Sequence, residues 1–460
     1  MKEYLKRAVF RCSKLLHFAV TVVLFGLFYF YFVYGAKALD KEVLRHGTMV
    51  IIYAVIALFA LRSYSSYNVG LARIRMLVYS QTLASVLTAG IMYVLMVINQ
   101  LALLNPLPLL GLVGVQLLWN VLWSFMTNAL YFKMFKPRKT ILVYSGEENL
   151  KHLEELKEHP RKFEIAKIIE NPEDDIHALI TQLEGAEAVF VAGIPATLRN
   201  GILKYCVEND IRCYVAPHVG DVLMLGSNHV ELFTVPICRV MRAIPNVEYA
   251  LIKRLIDIVA ALVGIVLCSP FMLITAIAIK LGDGGPVLYK QVRLTKNGRH
   301  FKILKFRSMR VDAERDGVAR LASENDNRIT PVGKIIRACR LDELPQLFNI
   351  LKGDMTIVGP RPERPEIAEQ YEQFLPAFGL RLQVKAGLTG LAQVYGKYNS
   401  DPYDKLRMDL MYVNNMSLLE DIKLMFATVK VLFMKESTSG IAEGQTTASA
   451  KTEDKEYALK

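Results

Sequence analysis

The chain has 460 residues, 52% of them hydrophobic, with a mean hydropathy of +0.26 and a formal net charge of +12. These values fit a membrane protein with substantial water-soluble parts, about three domains in all. The basic residues are spread through the chain rather than gathered in one tail, which excludes the usual nucleic-acid arm and suits membrane lipids and phosphorylated substrates. Six cysteines with no C-x-x-C pair exclude a zinc site or a disulfide framework and read as reduced thiols of a cytosol-facing protein.

Met1 to Lys14 is basic, and an apolar run from Leu15 to Ala36 follows. It is longer than a signal-peptide core and long enough to span a bilayer. Three more runs come after it, Gly47 to Leu61, Val78 to Ile98 and Leu107 to Phe132, the first of these the shortest. Lys and Arg collect at the N-terminus, in Arg62 to Arg75 and after the fourth run, whereas the turn at Asn105 and Pro106 has none. The first outer loop is mixed, with Lys37 and Lys41 against Asp40 and Glu42. By the positive-inside rule, residues 1–135 form a four-helix transmembrane domain with both ends in the cytoplasm.

Residues 136–245 alternate strand-like and helical runs. Strands are expected at Thr140–Tyr144, Phe163–Ile169, Ala188–Ala192 and Arg212–Val215, and helices at Glu147–Glu158, Asp174–Leu183 and Leu198–Glu208. That alternation predicts a small parallel, Rossmann-like α/β domain. Its first turn, YSGEENL, lacks the G-x-G-x-x-G that lets a pyrophosphate approach the backbone. The domain is therefore expected to hold no dinucleotide and to serve spacing, homo-oligomer contact or regulation.

Leu251 to Leu281 is apolar, with Lys253 and Arg254 near its start, and contains Ser269-Pro270. The proline removes a backbone hydrogen bond, and the serine hydroxyl can satisfy the freed carbonyl. A kinked fifth span is one reading. It would place the charged remainder of the chain outside, so a re-entrant helix over 251–281 that enters and leaves by the cytoplasmic face is the expectation.

Pro286 to Arg310 reads as strand, Asn297-Gly298 turn, strand, and delivers Lys290, Arg293, Lys302, Lys305 and Arg307. A solvated basic ribbon is the plainer alternative. Val311 to Asp326 reads as an exposed helix plus loop. Asp342 and Glu343 lie among Arg337, Arg340 and Arg361, with Pro345 opening an apolar run, so the acid pair is placed just ahead of a helix start. Such a helix end keeps a carboxylate ionised and offers N–H groups to phosphate; an acidic N-cap flanked by surface arginines is the plainer reading. Arg361 stands between Pro360 and Pro362, whose rings fix the backbone for a bidentate phosphate contact. Pro365 to Phe378 reads as an amphipathic helix interrupted at Pro376, and Ala386 to Gly396 as a glycine-punctuated loop. One or two helices carrying Asp409 and Asp421 follow over Tyr403 to Phe433. The polar 437–460 segment has the composition of a disordered tail. Residues 246–436 thus combine a membrane-dipping helix, a basic hairpin, an acid pair and a clamped arginine, which suits phosphoryl transfer with a metal and a carboxylate nucleophile.

The motifs KFRSM (Lys305 to Met309), RLDELPQLFNILKGDM (Arg340 to Met355), GPRP (Gly359 to Pro362) and GLTGLAQV (Gly387 to Val394) resemble the bacterial sugar transferases, the monotopic polyprenol-phosphate phosphoglycosyl transferases. Four spans and a Rossmann-like domain ahead of them resemble the large branch of that family, which initiates exopolysaccharide, capsule or O-antigen synthesis. The resemblance implies transfer of a sugar 1-phosphate from a UDP-sugar to undecaprenyl phosphate at the bacterial inner membrane, with release of UMP. It implies Asp342 as the nucleophile of a phosphosugar-aspartyl intermediate with Mg²⁺ beside it, Glu343 as its partner, and Ser269-Pro270 as the bend. It further implies Arg361 near the nucleotide, Lys305, Arg307 and Arg337 as phosphate or fold contacts, and Asp409 as an acidic position near the metal. UDP-glucose and UDP-galactose are the donors the resemblance favours. Two alternatives remain: a membrane-bound nucleotide-sugar dehydratase, for which Tyr249 and Lys253 match Y-x-x-x-K, and a non-enzymatic polysaccharide-assembly scaffold.

Overall fold

The computed structural model describes residues 3–34, 43–146, 149, 154, 156–232, 235–313, 326–396 and 401–432. The first outer loop, most of the expected Glu147–Glu158 helix, most of Val311–Asp326 and the 437–460 tail lie outside the described residues. The chain divides into two compact units, residues 1–217 and 218–460.

The first unit opens with four apolar helices, Glu3–Phe28 (α1), Val43–Ser63 (α2), Ile74–Gln100 (α3) and Leu107–Met134 (α4). Tyr4–Val33, Ile74–Gln100 and Leu107–Met134 are long and apolar enough to cross a membrane, as is Val247–Asp283 of the second unit; the apolar part of α2, Gly47–Ser63, is shorter. Lipid gives helices no hydrophobic reason to associate, so packing and interhelical hydrogen bonds must hold such a bundle. Phe25 stacks on Tyr53 at 4.0 Å, Gln116 Nε2 donates to Tyr53 Oη at 2.8 Å, and Ser124 Oγ donates to Gln81 Oε1 at 3.1 Å.

Strands Arg138–Tyr144 (β1), Phe163–Glu170 (β2), Ala188–Ala192 (β3) and Arg212–Val215 (β4) follow, all parallel, in the order β2-β1-β3-β4. Thr140 to Tyr144 is buried throughout, as a parallel strand covered on both faces requires. Helices Ile176–Thr181 and Ala196–Glu208 cover the sheet through Leu179, Leu198, Ile202 and Cys206. In the turn after β1, Asn149 Nδ2 donates to Ser145 O at 2.7 Å, and a Cβ on Gly193 would lie 2.3 Å from that nitrogen. Asn149 therefore packs across the gap between the ends of β1 and β3.

In the second unit the helix Val219–Leu225 packs through Val222 on Ile367, Tyr371 and Leu410. The antiparallel pair Asn228–Leu232 (β5) and Val235–Arg239 (β6) leads to one long helix, Val247–Asp283. Within it Ser269 Oγ donates to Val266 O at 2.8 Å. Val266 carries the carbonyl that Pro270 leaves without its usual N–H partner, so serine and proline act as a pair. The hairpin Leu288–Leu294 (β7) and His300–Phe306 (β8) turns at Asn297 (φ 60°) and Gly298 (φ 72°), as the Asn-Gly dipeptide predicts. The expected loop Ala386–Gly396 is instead a strand, Gly387–Thr389 (β10), and a short helix, Leu391–Tyr395. Its glycines let β10 lie directly against Thr356–Val358 (β9): a Cβ on Gly387 would stand 2.1 Å from Gly359 N. Two helices end the described chain, Pro402–Asn414 and Leu418–Leu432.

Candidate active site

The site grows from the helix Gln346–Lys352, whose apolar face makes it a core element. Leu347 and Ile350 pack on Ala261 of the long helix and on Phe301 and Ile303 of the hairpin. Gly264 admits Leu347, whose Cδ1 would lie 3.2 Å from an added Cβ. Arg254 donates to the C-terminal carbonyls of Ile350 and Leu351, both at 2.7 Å, capping the helix end. Asn349 ties it to β8, accepting from Leu304 N at 2.9 Å and donating to Lys302 O at 2.8 Å. Asp257, buried in the long helix, accepts from Thr356 Oγ1 at 2.7 Å and Ile357 N at 2.9 Å and so fixes β9.

At the other end of this helix the acid pair sits in a 3-10 turn, Leu341–Glu343, entered through Arg340 in the left-handed conformation (φ 56°). Glu343 Oε1 accepts from Arg361 Nη2 at 2.8 Å and Lys305 Nζ at 3.2 Å, and Arg340 Nη1 stands 3.9 Å from Oε2. Burial opposes its charge, but Arg361, Lys305 and Arg340 outweigh burial and hold the carboxyl well below the usual carboxylate range. Asp342 behaves oppositely. Burial and then the Glu343 charge push its carboxyl up, against Lys305, Arg337 and Arg340. Its Oδ1 is buried, and no donor among the described residues reaches it. Burial also lowers the Lys305 ammonium, against the Glu343 charge. A solvent-open hollow lies beside the Glu343 ion pairs, lined by Arg293, Ile303, Lys305, Gln346, Arg361 and Pro362. Three cations around one hollow can receive phosphate oxygens.

Arg361 is held through its backbone. Arg381 Nη2 donates to Arg361 O at 2.9 Å, Arg293 Nη1 donates to Pro362 O at 3.1 Å, and Glu363 lies 3.8 Å from each of these two arginines. Arg381 in turn forms a buried ion pair with Asp409 at 2.6 Å. Burial pushes the Asp409 carboxyl up to about 6 in spite of Arg381. Gly387 N donates to Pro360 O and Gly359 N to Thr389 O, both at 2.8 Å, completing the frame.

Asp342, Glu343, Lys305 and Arg361 are thus brought together, and Arg337 acts on Asp342 through its charge. Asp409 reaches the site only through Arg381. Arg307 is a fold contact: its guanidinium takes both carboxylate oxygens of Asp283, and Nε donates to Pro286 O at 2.7 Å. Tyr249 and Lys253 converge on Asp421 Oδ2, at 2.8 and 2.7 Å, and Tyr412 donates to Asp421 Oδ1 at 2.7 Å, so the Y-x-x-x-K pair is spent on holding helices together. Sequence reasoning missed Arg254, Asp257, Asn349 and Arg381. The signal for Asp257 and Asn349 was present, since each is a polar residue inside an apolar run.

The family model described as bacterial sugar transferase matches residues 248–435. An Aeromonas hydrophila protein named UDP-N-acetylgalactosamine-undecaprenyl-phosphate N-acetylgalactosaminephosphotransferase is 45% identical over 192 residues, covering 41% of this chain and 45% of that one. A Klebsiella pneumoniae protein named UDP-glucose:undecaprenyl-phosphate glucose-1-phosphate transferase is 39% identical over 235 residues, half of each chain (50% and 50%). The exopolysaccharide production protein PSS of Rhizobium leguminosarum bv. phaseoli is 42% identical over 187 residues, which are 39% of this chain and 93% of that protein. The matched region thus spans about half the length of the first two relatives and nearly all of the third.

Proposed function

The chain belongs to the bacterial sugar transferase family, and we propose that it transfers a sugar 1-phosphate from a UDP-sugar to undecaprenyl phosphate and releases UMP. The names of the relatives support this reading. The observation that carries it is the division of labour in the acid pair: Glu343 is tied down by three cations, two of which line the hollow, while the adjacent Asp342 keeps a buried oxygen that no donor among the described residues reaches. In this reading an Asp342 oxygen attacks the sugar-bearing phosphorus. The new O–P bond forms as the bond to the UMP oxygen breaks. An oxygen of undecaprenyl phosphate then attacks the same phosphorus and frees the carboxylate. Lys305, Arg361 and Arg293 neutralise the phosphate oxygens through both displacements.

No group of three His, Cys, Asp or Glu that could hold a metal occurs among the described residues. The donor-free Oδ1 of Asp342 nevertheless fits Mg²⁺, which takes one or two carboxylates and fills its shell with water and substrate phosphates. When bound there it would supply charge neutralisation at the transferring phosphoryl group.

The remaining placements belong to the same reading. The Val247–Asp283 helix enters and leaves by the inner face at Ser269-Pro270, which keeps the second unit cytoplasmic. The parallel sheet is a Rossmann-like domain without dinucleotide, a view that the packing of Asn149 against Gly193 supports. The test is UMP release by the purified full-length protein from a panel of UDP-sugars, glucose, galactose and N-acetylgalactosamine included. Release should require undecaprenyl phosphate and Mg²⁺ and disappear in Asp342→Asn at unchanged melting temperature; normal turnover in that variant removes Asp342 as nucleophile. A cysteine placed at Leu273 should stay unreachable from outside the cell, and outside labelling of sites beyond Gly282 defeats the re-entrant topology.

A further inference from the structure

A second set of cations gathers at the far end of the helix Gln346–Lys352, about 10 Å from the acid pair by the rise of a seven-residue helix. Arg254 and Lys385 flank Gly353: a Cβ built there would lie 3.4 Å from Arg254 Nη2 and 3.8 Å from Lys385 Nζ. Gly353 has φ +92°, a conformation that favours glycine, so the space between the two cations carries no side chain. Neither cation has a carboxylate partner among the described residues. Arg254 gives its guanidinium to the carbonyls of Ile350 and Leu351, and the half-buried Lys385 ammonium makes no hydrogen bond among the described residues.

Lys296, Arg299 and Lys352 stand exposed around this gap. Arg299 and Lys352 approach the Asp354 carboxylate at 3.5 and 3.1 Å. The other nearby carboxylate, Asp257, has both oxygens taken by Thr356 and Ile357. Positive charge is therefore in excess. Burial first, and then Arg254, Arg299 and Lys296, lower the Lys385 ammonium, with Asp257 working the other way. A bound anion relieves such repulsion. Arg254 is also the last residue before the lipid-facing run, in which Leu255, Val259, Leu262 and Val263 are exposed. With the long helix placed as proposed above, the cluster lies where it meets the headgroups.

We propose that the gap between Arg254 and Lys385, with its basic rim, binds a phosphate-ester anion at the membrane face, apart from the hollow that takes the sugar nucleotide. The inference rests on the placement of the long helix at the inner leaflet, and not on the transfer chemistry. A juxtamembrane cation near an anionic headgroup is worth about fivefold in affinity.

The test is native mass spectrometry of the detergent-solubilised full-length protein with added phosphatidylglycerol or phosphatidylcholine, and with inorganic phosphate as competitor. Wild type should retain phosphatidylglycerol over phosphatidylcholine. Retention should fall about fivefold for each charge removed in Lys385→Gln and in the exposed pair Lys296→Gln with Lys352→Gln, and return in Lys385→Arg. Arg361→Gln, which alters the other site, should leave retention unchanged. Displacement by inorganic phosphate without phosphatidylglycerol retention assigns the same gap to a soluble phosphate ester. Equal retention by wild type and both neutralised variants, or equal loss in Arg361→Gln, overturns the proposal. The readout does not use turnover, so failure of the transferase reading stays separate.

Discussion

Arg361 and Glu343 meet at 2.8 Å, and the same carboxylate oxygen also receives Lys305. Glu343 is thus the anchor that gathers two cations of the hollow, a role that needs its charge and no proton transfer. Glu343→Gln keeps the shape and removes the anchor. Hydrogen bonds to a charged group contribute about 1.5–3 kcal/mol, so kcat/KM should fall on the order of a hundredfold in steady-state UMP release. A variant with wild-type turnover shows that the two cations hold their places without it.

In the proposed mechanism Asp342 must be ionised to attack, and burial together with Glu343 raises its pKa above the ordinary carboxylate value. The acid limb of kcat/KM should therefore lie at higher pH than an exposed aspartate gives, with activity rising as pH rises through it. In Glu343→Gln the like charge is gone while Arg337, whose charge also acts on Asp342, stays, so that limb should move to lower pH. An unmoved limb assigns it to another group.

Asp409 is expected to act on substrate binding at a distance. It pairs with Arg381, which holds the Arg361 carbonyl. Asp409→Ala leaves the buried Arg381 charge with only the more distant Glu363, a loss of up to about 3–5 kcal/mol that should lower the melting temperature clearly. Asp409→Asn, milder, should raise KM for the UDP-sugar more than it lowers kcat, because Arg361, which it positions through Arg381, is proposed to neutralise the donor's phosphate. Equal losses in both would place Asp409 at the chemistry itself.

These relationships show what could be read from the chain and what could not. Asn297-Gly298, the serine bond beside Pro270 and the strand spans over 138–215 are local signals, set by turn chemistry and by alternation of apolar runs, and the structure has them where the chain predicts. The acid pair and the Pro-Arg-Pro arginine were legible as motifs. Their supports were not. Asp257 meets Ile357 across 100 residues, and Arg254 meets Ile350 across 96. Arg307 reads from the chain as either a phosphate or a fold contact, because nothing local marks Asp283 as its partner. The segment after Ala386 read as a loop because glycine lowers strand propensity, whereas here its lack of a side chain is what permits the backbone contact.

That contact makes the last prediction. Gly387→Ala would set a Cβ 2.1 Å from Gly359 N and 2.5 Å from Gly359 O, both backbone atoms that cannot swing away. The strand must shift, and Pro360 and Arg361 follow Gly359 in the chain. Overpacking of this kind costs about 1–3 kcal/mol, and the displaced arginine should depress kcat/KM by more than the loss of folded protein explains. Gly282→Ala is the matched control, since its Cβ would meet only Val332, at an ordinary 3.7 Å. Melting temperature and UMP release measured on both variants decide the matter: the control should keep both, and Gly387→Ala should lose activity even at a temperature where it remains folded.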